Sequence, residues 1–359
     1  MNTPLNQAIY DDFGTKMVAT LNHAGLALMI SIGHRCGLFD VMSRLPATTS
    51  RMIAAEANLN ERYVREWLGA MTTGGVVEYR ADDGTYRLPP EHAEWLTRAA
   101  SPNNIATSMQ WFAVLGRVED EVVEAFHHGR GVPYGAYHRF HDVMAEDSAQ
   151  SVVAALFDHI LPLVPGCPDQ LAHGIDVLDI GCGSGRAINE MAARFPRSRF
   201  AGYDASSESI AAAAAQADRL GLKNVRFEKR DVAEMVEPAA FDLITAFDAI
   251  HDQARPDAVL RNIAAALRPG GTFLMQDISG SSDIYSDMAH PFGPFLYTIS
   301  CMHCMSVSLA AGGPGLGAMW GKEKATEMLN AAGFDRIRVE TLPHDPLNFY
   351  YIAMTALKS

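Results

Sequence analysis

The stretch Ile175-Asp176-Val177-Leu178-Asp179-Ile180-Gly181-Cys182-Gly183-Ser184-Gly185-Arg186 decides the fold of this chain. A short apolar run breaks into alternating glycines and then into the Ala-rich, helix-forming stretch Ala187 to Phe195. Strand, glycine turn and helix start are what a doubly wound sheet uses to bring backbone against a nucleoside at its carboxyl edge. Glycines let the chain turn sharply and leave room where a Cβ would strike the ligand. The spacing is G-x-G-x-G. It is neither the G-x-G-x-x-G of pyrophosphate binders nor the Gly-Lys-Ser/Thr of a phosphate loop, so the turn predicts a nucleoside without phosphates.

Outward from that turn, a series of strand-like runs ends in acids. Arg199 to Asp204 ends where a ribose diol needs an acceptor. Val225 to Arg230 leads into Asp231, placed to accept from an adenine amino group. Phe241 to Phe247 opens into Asp248-Ala249-Ile250-His251-Asp252, and Leu267-Arg268-Pro269-Gly270-Gly271 turns into Thr272 to Gln276, which ends at Asp277. Acids at successive strand ends on one edge are hard to explain as packing. The series resembles the class I S-adenosylmethionine-dependent methyltransferases, over roughly the second half of the chain. The resemblance implies a Rossmann-like sheet of seven strands, the last reversed. It implies S-adenosyl-L-methionine as cofactor, with S-adenosyl-L-homocysteine as its product. The cofactor set it implies is Asp179, Gly181, Gly183, Gly185, Asp204, Ala205, Asp231, Val232, Phe247 and Asp248. Phe334 to Thr341 and Asn348 to Thr355 fit the closing strands of such a sheet.

Composition bounds the rest. At 359 residues, two domains are expected, and a formal charge of −13 argues against nucleic acid or an anionic membrane as a general partner. Nothing in the sequence reads as approaching a transmembrane span, and residues 1–13 lack the basic start and apolar stretch of a signal peptide. Five cysteines without scaffold spacing suggest reduced thiols and a cytoplasmic location.

The first half divides as 1–100, a mainly α winged-helix domain, and 101–168, a helical linker; 169–359 is the methyltransferase-like domain with an insert at 279–321. Lys16 to Met42 is too apolar for a solvated helix and must pack on something, either the domain's own core or, the sharper expectation, a subunit interface. Thr48-Thr49-Ser50 caps a helix to Ala57, Glu61 to Thr73 forms a second, and Val76–Arg80 with Thr85–Leu88 makes a ribbon. Helix, turn, helix and ribbon make a winged helix, which raises DNA binding as a rival function. Arg62 and Arg65 alternate with Glu61 and Glu66, and the wing tip is Asp82-Asp83, so the counterion-release gain would be small. A winged helix before such a domain is similar to the plant and bacterial small-molecule O-methyltransferases and to a bacterial group often labelled regulators. That likeness implies a homodimer through the leading domain, which helps close the partner's pocket.

The helical stretch from Ser101 to Pro168 breaks at His127 to Tyr137, rich in glycine and aromatics. Tyr134, Tyr137 and His138 from it are expected to line the acceptor pocket. A His138–His141 metal pair has no carboxylate at Glu-x-x-His spacing, so no metal is expected there. Within 279–321, Cys301, Cys304 and Trp320 are expected in the pocket roof. One C-x-x-C without a second pair argues against zinc; a thiol pair for a soft substrate or for redox work stays open. Gly312 to Gly317 reads as a flexible lid.

Methyl transfer from a sulfonium is an in-line displacement that needs alignment, exclusion of water and, for a hydroxyl acceptor, removal of a proton. His251 is the candidate base, since histidine titrates near neutral pH. In the plant-type enzymes a His-Asp pair follows this strand with the histidine as base, and His251-Asp252 falls there. The resemblance adds acids that hold the histidine: Asp277 matches one well and Glu323 another loosely. The expectation is methyl transfer to a small-molecule hydroxyl. S- or N-methylation with His251 only orienting the acceptor, and a cofactor-sensing DNA-binding regulator, remain alternatives.

Overall fold

The computed structural model describes residues 5–355. They fall into two compact units that divide between Ala113 and Val114, so the stretch 101–168 is shared between them.

The first unit opens with a 29-residue helix, Gln7–Arg35, whose start is capped by the Asn6 side chain. Short helices Leu38–Met42 and Ser50–Glu56 follow, then Glu61–Thr73, capped by Asn60. Strands β1 (Glu78–Arg80) and β2 (Thr85–Arg87) pair as the antiparallel wing. Ile30, Phe39, Ile53, Trp67, Leu68 and Met71 form the core. Trp67 lays its ring edge against Phe39 at 5.3 Å and donates its indole N–H to the Met29 carbonyl. Gly33 is what lets the long helix approach, because a Cβ there would sit 2.5 Å from the Trp67 ring.

The long helix corrects one expectation. By length and mean hydropathy (1.2 over eighteen residues) it passes the test for a membrane span, and 28% of that window is buried. The sequence lacks an unbroken apolar run because Asn22, His23 and the glycines Gly14, Gly25 and Gly33 interrupt it, yet its average is high. On the winged helix, Arg62 pairs with Glu66, Arg65 with Glu61, Arg80 with Asp83 and Arg87 with Glu78.

The second unit is built on seven strands: β3 Asp176–Ile180, β4 Arg199–Asp204, β5 Val225–Lys229, β6 Phe241–Phe247, β7 Leu267–Ile278, β8 Phe334–Leu342 and β9 Asp345–Thr355. Their spatial order is β5-β4-β3-β6-β7-β9-β8, and β9 runs antiparallel to both of its neighbours. This is the Rossmann-like methyltransferase sheet with its last strand reversed. Neighbouring residues feed opposite faces. Leu178, Ala201, Ile244, Phe273 and Tyr351 face the helices Pro256–Ala266 and Gly321–Ala331. Val177, Phe200, Leu243, Leu274 and Tyr350 face Arg186–Arg194 and the helical segment from Val152 to Leu171. Both faces are covered, as a parallel sheet requires.

At the amino edge of the sheet, Asp176 takes Arg199 at 2.7 Å and Arg268 at 2.8 Å, and Arg268 also holds Asp242. The Arg199 hydrogen bond, above all, holds the Asp176 carboxyl below its ordinary value. The acid that opens the deciding stretch is thus spent on fastening three strands. The opposite, carboxyl edge is left for chemistry: β3 and β6 are the central pair, where strand order reverses and ligands bind in such sheets.

The insert is helical, Gly293–Ile299 and Met305–Ala310, joined by one π-turn at Ser300–Cys304. Such turns concentrate at functional sites. The glycine run read as a flexible lid is tied down instead. Gly313 donates to the Ser308 carbonyl at 2.7 Å and Gly315 to the Ser308 hydroxyl at 3.2 Å, while that hydroxyl donates to Gln253.

Candidate active site

Gly181, Gly183 and Gly185 all adopt left-handed backbone, with φ of 63°, 52° and 72°. A Cβ on Gly181 would lie 2.4 Å from that of Ala249, and one on Gly185 2.7 Å from that of Ala213. Gly183 differs: nothing lies within 4 Å of its Cβ position. Its conformation demands glycine while its surroundings leave room, as expected where a ligand approaches backbone. Asp204, at the end of β4, accepts from the Gly183 amide at 2.9 Å and from the Ser206 amide at 2.7 Å. One carboxylate therefore shapes the turn from the end of β4, where the sequence predicts a ribose acceptor. Asp179 is buried and accepts from the Thr245 hydroxyl at 2.7 Å. Burial, opposed by that hydrogen bond and aided by Asp204, pushes its carboxyl up to about 7. Asp231 caps its own turn through the Ala233 amide and pairs with Arg255 at 2.7 Å. Ala205 is exposed, Val232 buried and Phe247 half-buried around the same edge.

The second cluster lies where β6 and β7 end. His251 Nδ1 is 2.8 Å from Asp277 Oδ1, with 4% and 0% of the two side chains exposed. That oxygen also accepts from the Trp320 indole at 3.0 Å and the Ile278 amide at 2.9 Å, whereas Oδ2 has no hydrogen-bond partner among the described residues. Burial opposes a charge on His251, but Asp277, with a smaller contribution from Cys304, more than offsets it and raises the imidazole well above its ordinary 6.5. Cys304 lies close enough to His251 for the two side chains to influence each other's titration.

Asp248, expected at the nucleoside, lies with this pair: its carboxylate, a His251 nitrogen and an Asp277 oxygen are all within 4.8 Å of one another. Its backbone is left-handed, φ 51°, an uncommon conformation for a residue with a side chain. Burial first, then Asp277, push its carboxyl up to about 8 against the pull of His251. This trio is the only metal-capable grouping among the described residues. With Nδ1 engaged by Asp277, its donor set reads as an acid–base pair with a third acid beside it.

Glu323, the loosely matched acid, accepts from the Ser282 amide at 2.9 Å, and Trp320 takes the second place on Asp277. Tyr134 is 39% exposed and meets the His141 and His303 rings, each at 5.4 Å; loss of solvent around its hydroxyl first, then Asp252, Asp204 and Cys304, raise its phenol well above 10. Tyr137 donates its hydroxyl to the Met302 carbonyl, and the neighbouring backbone is latched where the Val132 amide donates to the Ser306 hydroxyl at 2.8 Å. Cys301 lies close enough to Tyr137 to influence its phenol, which burial chiefly pushes up to about 12. His138 is at the surface, while His141 meets Ser209 at 3.3 Å. Two side chains were missed: Phe140 and His303, whose rings stack with centroids 4.0 Å apart. The only signal for them was the aromatic density of their segments.

Residues 24–98 match the Rv2258c-like winged HTH domain, and residues 171–333 match a methyltransferase domain. Trans-aconitate 2-methyltransferase of Deinococcus radiodurans is 31% identical over 39% of this chain and 46% of its own length. A ubiquinone biosynthesis O-methyltransferase of Paracidovorax citrulli is 28% identical over 35% of this chain and 54% of its own. The chain thus spans about half the length of these curated relatives. Among solved structures, human N-acetylserotonin methyltransferase in complex with SAM superposes with a TM-score of 0.70 at 16% identity, covering 99% of this chain and 100% of that one. The mitomycin 7-O-methyltransferase MmcR gives 0.67 at 18% identity, covering 98% and 100%. The chain joins an Rv2258c-like winged helix-turn-helix domain to a Rossmann-like methyltransferase domain of the architecture seen in these O-methyltransferases.

Proposed function

We propose that this protein is an S-adenosylmethionine-dependent methyltransferase that methylates a hydroxyl of a small molecule, with His251 as general base. The observation that carries the reading is the buried His251–Asp277 pair, 2.8 Å apart, at the carboxyl edge beside a glycine turn with open space at Gly183. The methyltransferase match, the Gly183 opening and the Asp204 carboxylate support S-adenosylmethionine as the methyl donor. When bound, it supplies an electrophilic methyl on a sulfonium, with a neutral thioether as leaving group.

The chain's own residues do the rest. Asp204 stands to accept from the ribose diol, and the left-handed glycines let backbone approach the nucleoside. Asp277 accepts from Nδ1 and so leaves the lone pair on Nε2, the tautomer a base requires. Nε2 then takes the proton of the acceptor hydroxyl as its oxygen attacks. Trp320 and the Ile278 amide fix the Asp277 carboxylate, and with it the plane of the imidazole. Tyr134, Tyr137 and the insert exclude water.

We read the protein as a homodimer through the leading helix, on which Ile9, Phe13, Val18 and Leu21 are 60% exposed or more. Five unpaired cysteines favour a reducing compartment such as the cytoplasm. His251→Ala tests the central claim. O-methylation should fall by about 10²-fold or more while calorimetric affinity for S-adenosylhomocysteine holds. An undiminished rate refutes the base, and no heat with that compound refutes the methyl donor.

A further inference from the structure

Resting on S-adenosylmethionine as the donor and on Asp231 as the acid that meets its adenine, we propose that Arg255 is a positioning residue. It ties that acid to the loop carrying His251, so that filling the nucleoside site also sets the base loop. This loop runs from Asp248 to Arg255, between β6 and the helix Pro256–Ala266. Its last residue, Arg255, reaches back with Nη2 to Asp231 Oδ2 at 2.7 Å and to Glu234 Oε1 at 3.2 Å.

The Asp231 carboxylate is thereby held from two sides. Oδ1 accepts from the Ala233 amide at 2.8 Å, within its own turn, and Oδ2 takes the guanidinium from the other loop. Two fixed contacts define the plane of the group, and each oxygen keeps a lone pair for one more donor. The two loops also share packing. Val232 and Met235 on one and Ala249 and Ile250 on the other belong to one buried cluster, and Asn262 of the following helix donates to the Val232 carbonyl at 2.9 Å. At its start the base loop backs onto the glycine turn, since a Cβ on Gly181 would fall 2.4 Å from that of Ala249. The loop thus touches the glycine turn at one end and Asp231 at the other. Coupling of this kind is reciprocal: an arginine that orders Asp231 for the nucleoside lets the nucleoside order the Arg255 end of the loop. Both side chains are about half exposed, so the effect is that of a surface ion pair, a few-fold in affinity rather than orders of magnitude.

The experiment measures S-adenosylhomocysteine binding to the full chain by calorimetry in a double-mutant cycle. Arg255→Ala should weaken binding about 3–5-fold, Arg255→Lys should keep most of it, and the loss should vanish when Arg255→Ala is combined with Asp231→Asn. A merely structural role would cost the same in both backgrounds. Hydrogen exchange gives the second readout. Saturating S-adenosylhomocysteine should slow the amides of residues 249–254 in the parent and slow them less in Arg255→Ala, with residues 181–185 protected alike in both. Undiminished affinity in Arg255→Ala, an equal loss in the Asp231→Asn background, or equal protection of residues 249–254 overturns the proposal. An Asp231→Asn variant that binds as tightly as the parent instead brings down the reading of Asp231, and no heat with the parent brings down the methyl donor.

Discussion

Asp277 spends one carboxylate oxygen on His251, at 2.8 Å, and that same oxygen on the Trp320 indole and the Ile278 amide, while its other oxygen, fully buried, has no hydrogen-bond partner among the described residues. The concentration of donors on Oδ1 sets the imidazole plane and makes the pair a directed one. It also decides how activity should respond to pH.

Asp277 raises the folded pKa of His251 well above 6.5, so the proton that this pairing favours on the imidazole must leave before it can accept one. The methylation rate should therefore climb with pH along a limb centred above 6.5, measured with S-adenosylmethionine saturating. Asp277→Asn removes the principal cause of the raised pKa and leaves burial, which lowers it. The limb should move to lower pH and the plateau rate should fall by about 10²-fold. A limb that stays in place in the variant rules out Asp277 as the group that tunes His251.

Asp248 is raised too, but chiefly by burial rather than by a partner. Its folded carboxyl is pushed up to about 8 against an ordinary 3.8, so between those values the folded state binds more protons than the unfolded one and stability falls as pH rises. Asp248→Asn escapes that penalty. In the cofactor-free protein, the thermal midpoint of the variant should exceed that of the parent by more at pH 8.5 than at pH 5. An equal difference at both values contradicts a buried, poorly compensated acid.

The strands, their edge acids and the wing were legible because each depends on local pattern: apolar runs, glycine turns and the Thr49 cap. The His251–Asp277 pair could be placed only through the family resemblance, since 26 residues separate its members. That Asp248, expected at the nucleoside, also lies beside His251 and Asp277 was not legible, because a strand-end position does not reveal which way a left-handed residue turns its side chain. Trp320 on Asp277 and His303 on Phe140 join segments 43 and more than 150 residues apart, and no periodicity encodes such pairings. The glycine run looked like a lid because its anchor, Ser308, is an unremarkable serine in the sequence.

Gly131 is where the aromatic linker is latched to the insert. A Cβ there would fall 1.7 Å from the Ser306 carbonyl oxygen and 2.6 Å from the Ala310 amide. Gly131→Ala must push the two segments apart and loosen the Val132–Ser306 and Tyr137–Met302 hydrogen bonds. Overpacking of this kind costs about 1–3 kcal/mol. The melting midpoint should drop by several degrees and the acceptor KM should rise about 10-fold, whereas S-adenosylhomocysteine affinity should hold. Unaltered acceptor kinetics would detach this latch from the acceptor site.

The leading helix supplies the last test. Val18 is 61% exposed and Leu21 75%, one turn apart on a helix with few buried positions in its first half. If this face meets its own copy across a two-fold axis, each substitution enters the interface twice. Leu21→Glu removes about 1.5–3 kcal/mol of apolar burial per copy and places a charge where no cation has been arranged to meet it. Sedimentation at micromolar concentration should show the parent as a dimer and Leu21→Glu as a monomer, with the melting of the methyltransferase domain little changed. A parent that sediments as a monomer, or a variant that remains a dimer, excludes this face as the subunit contact and reopens the question of what its apolar side chains cover.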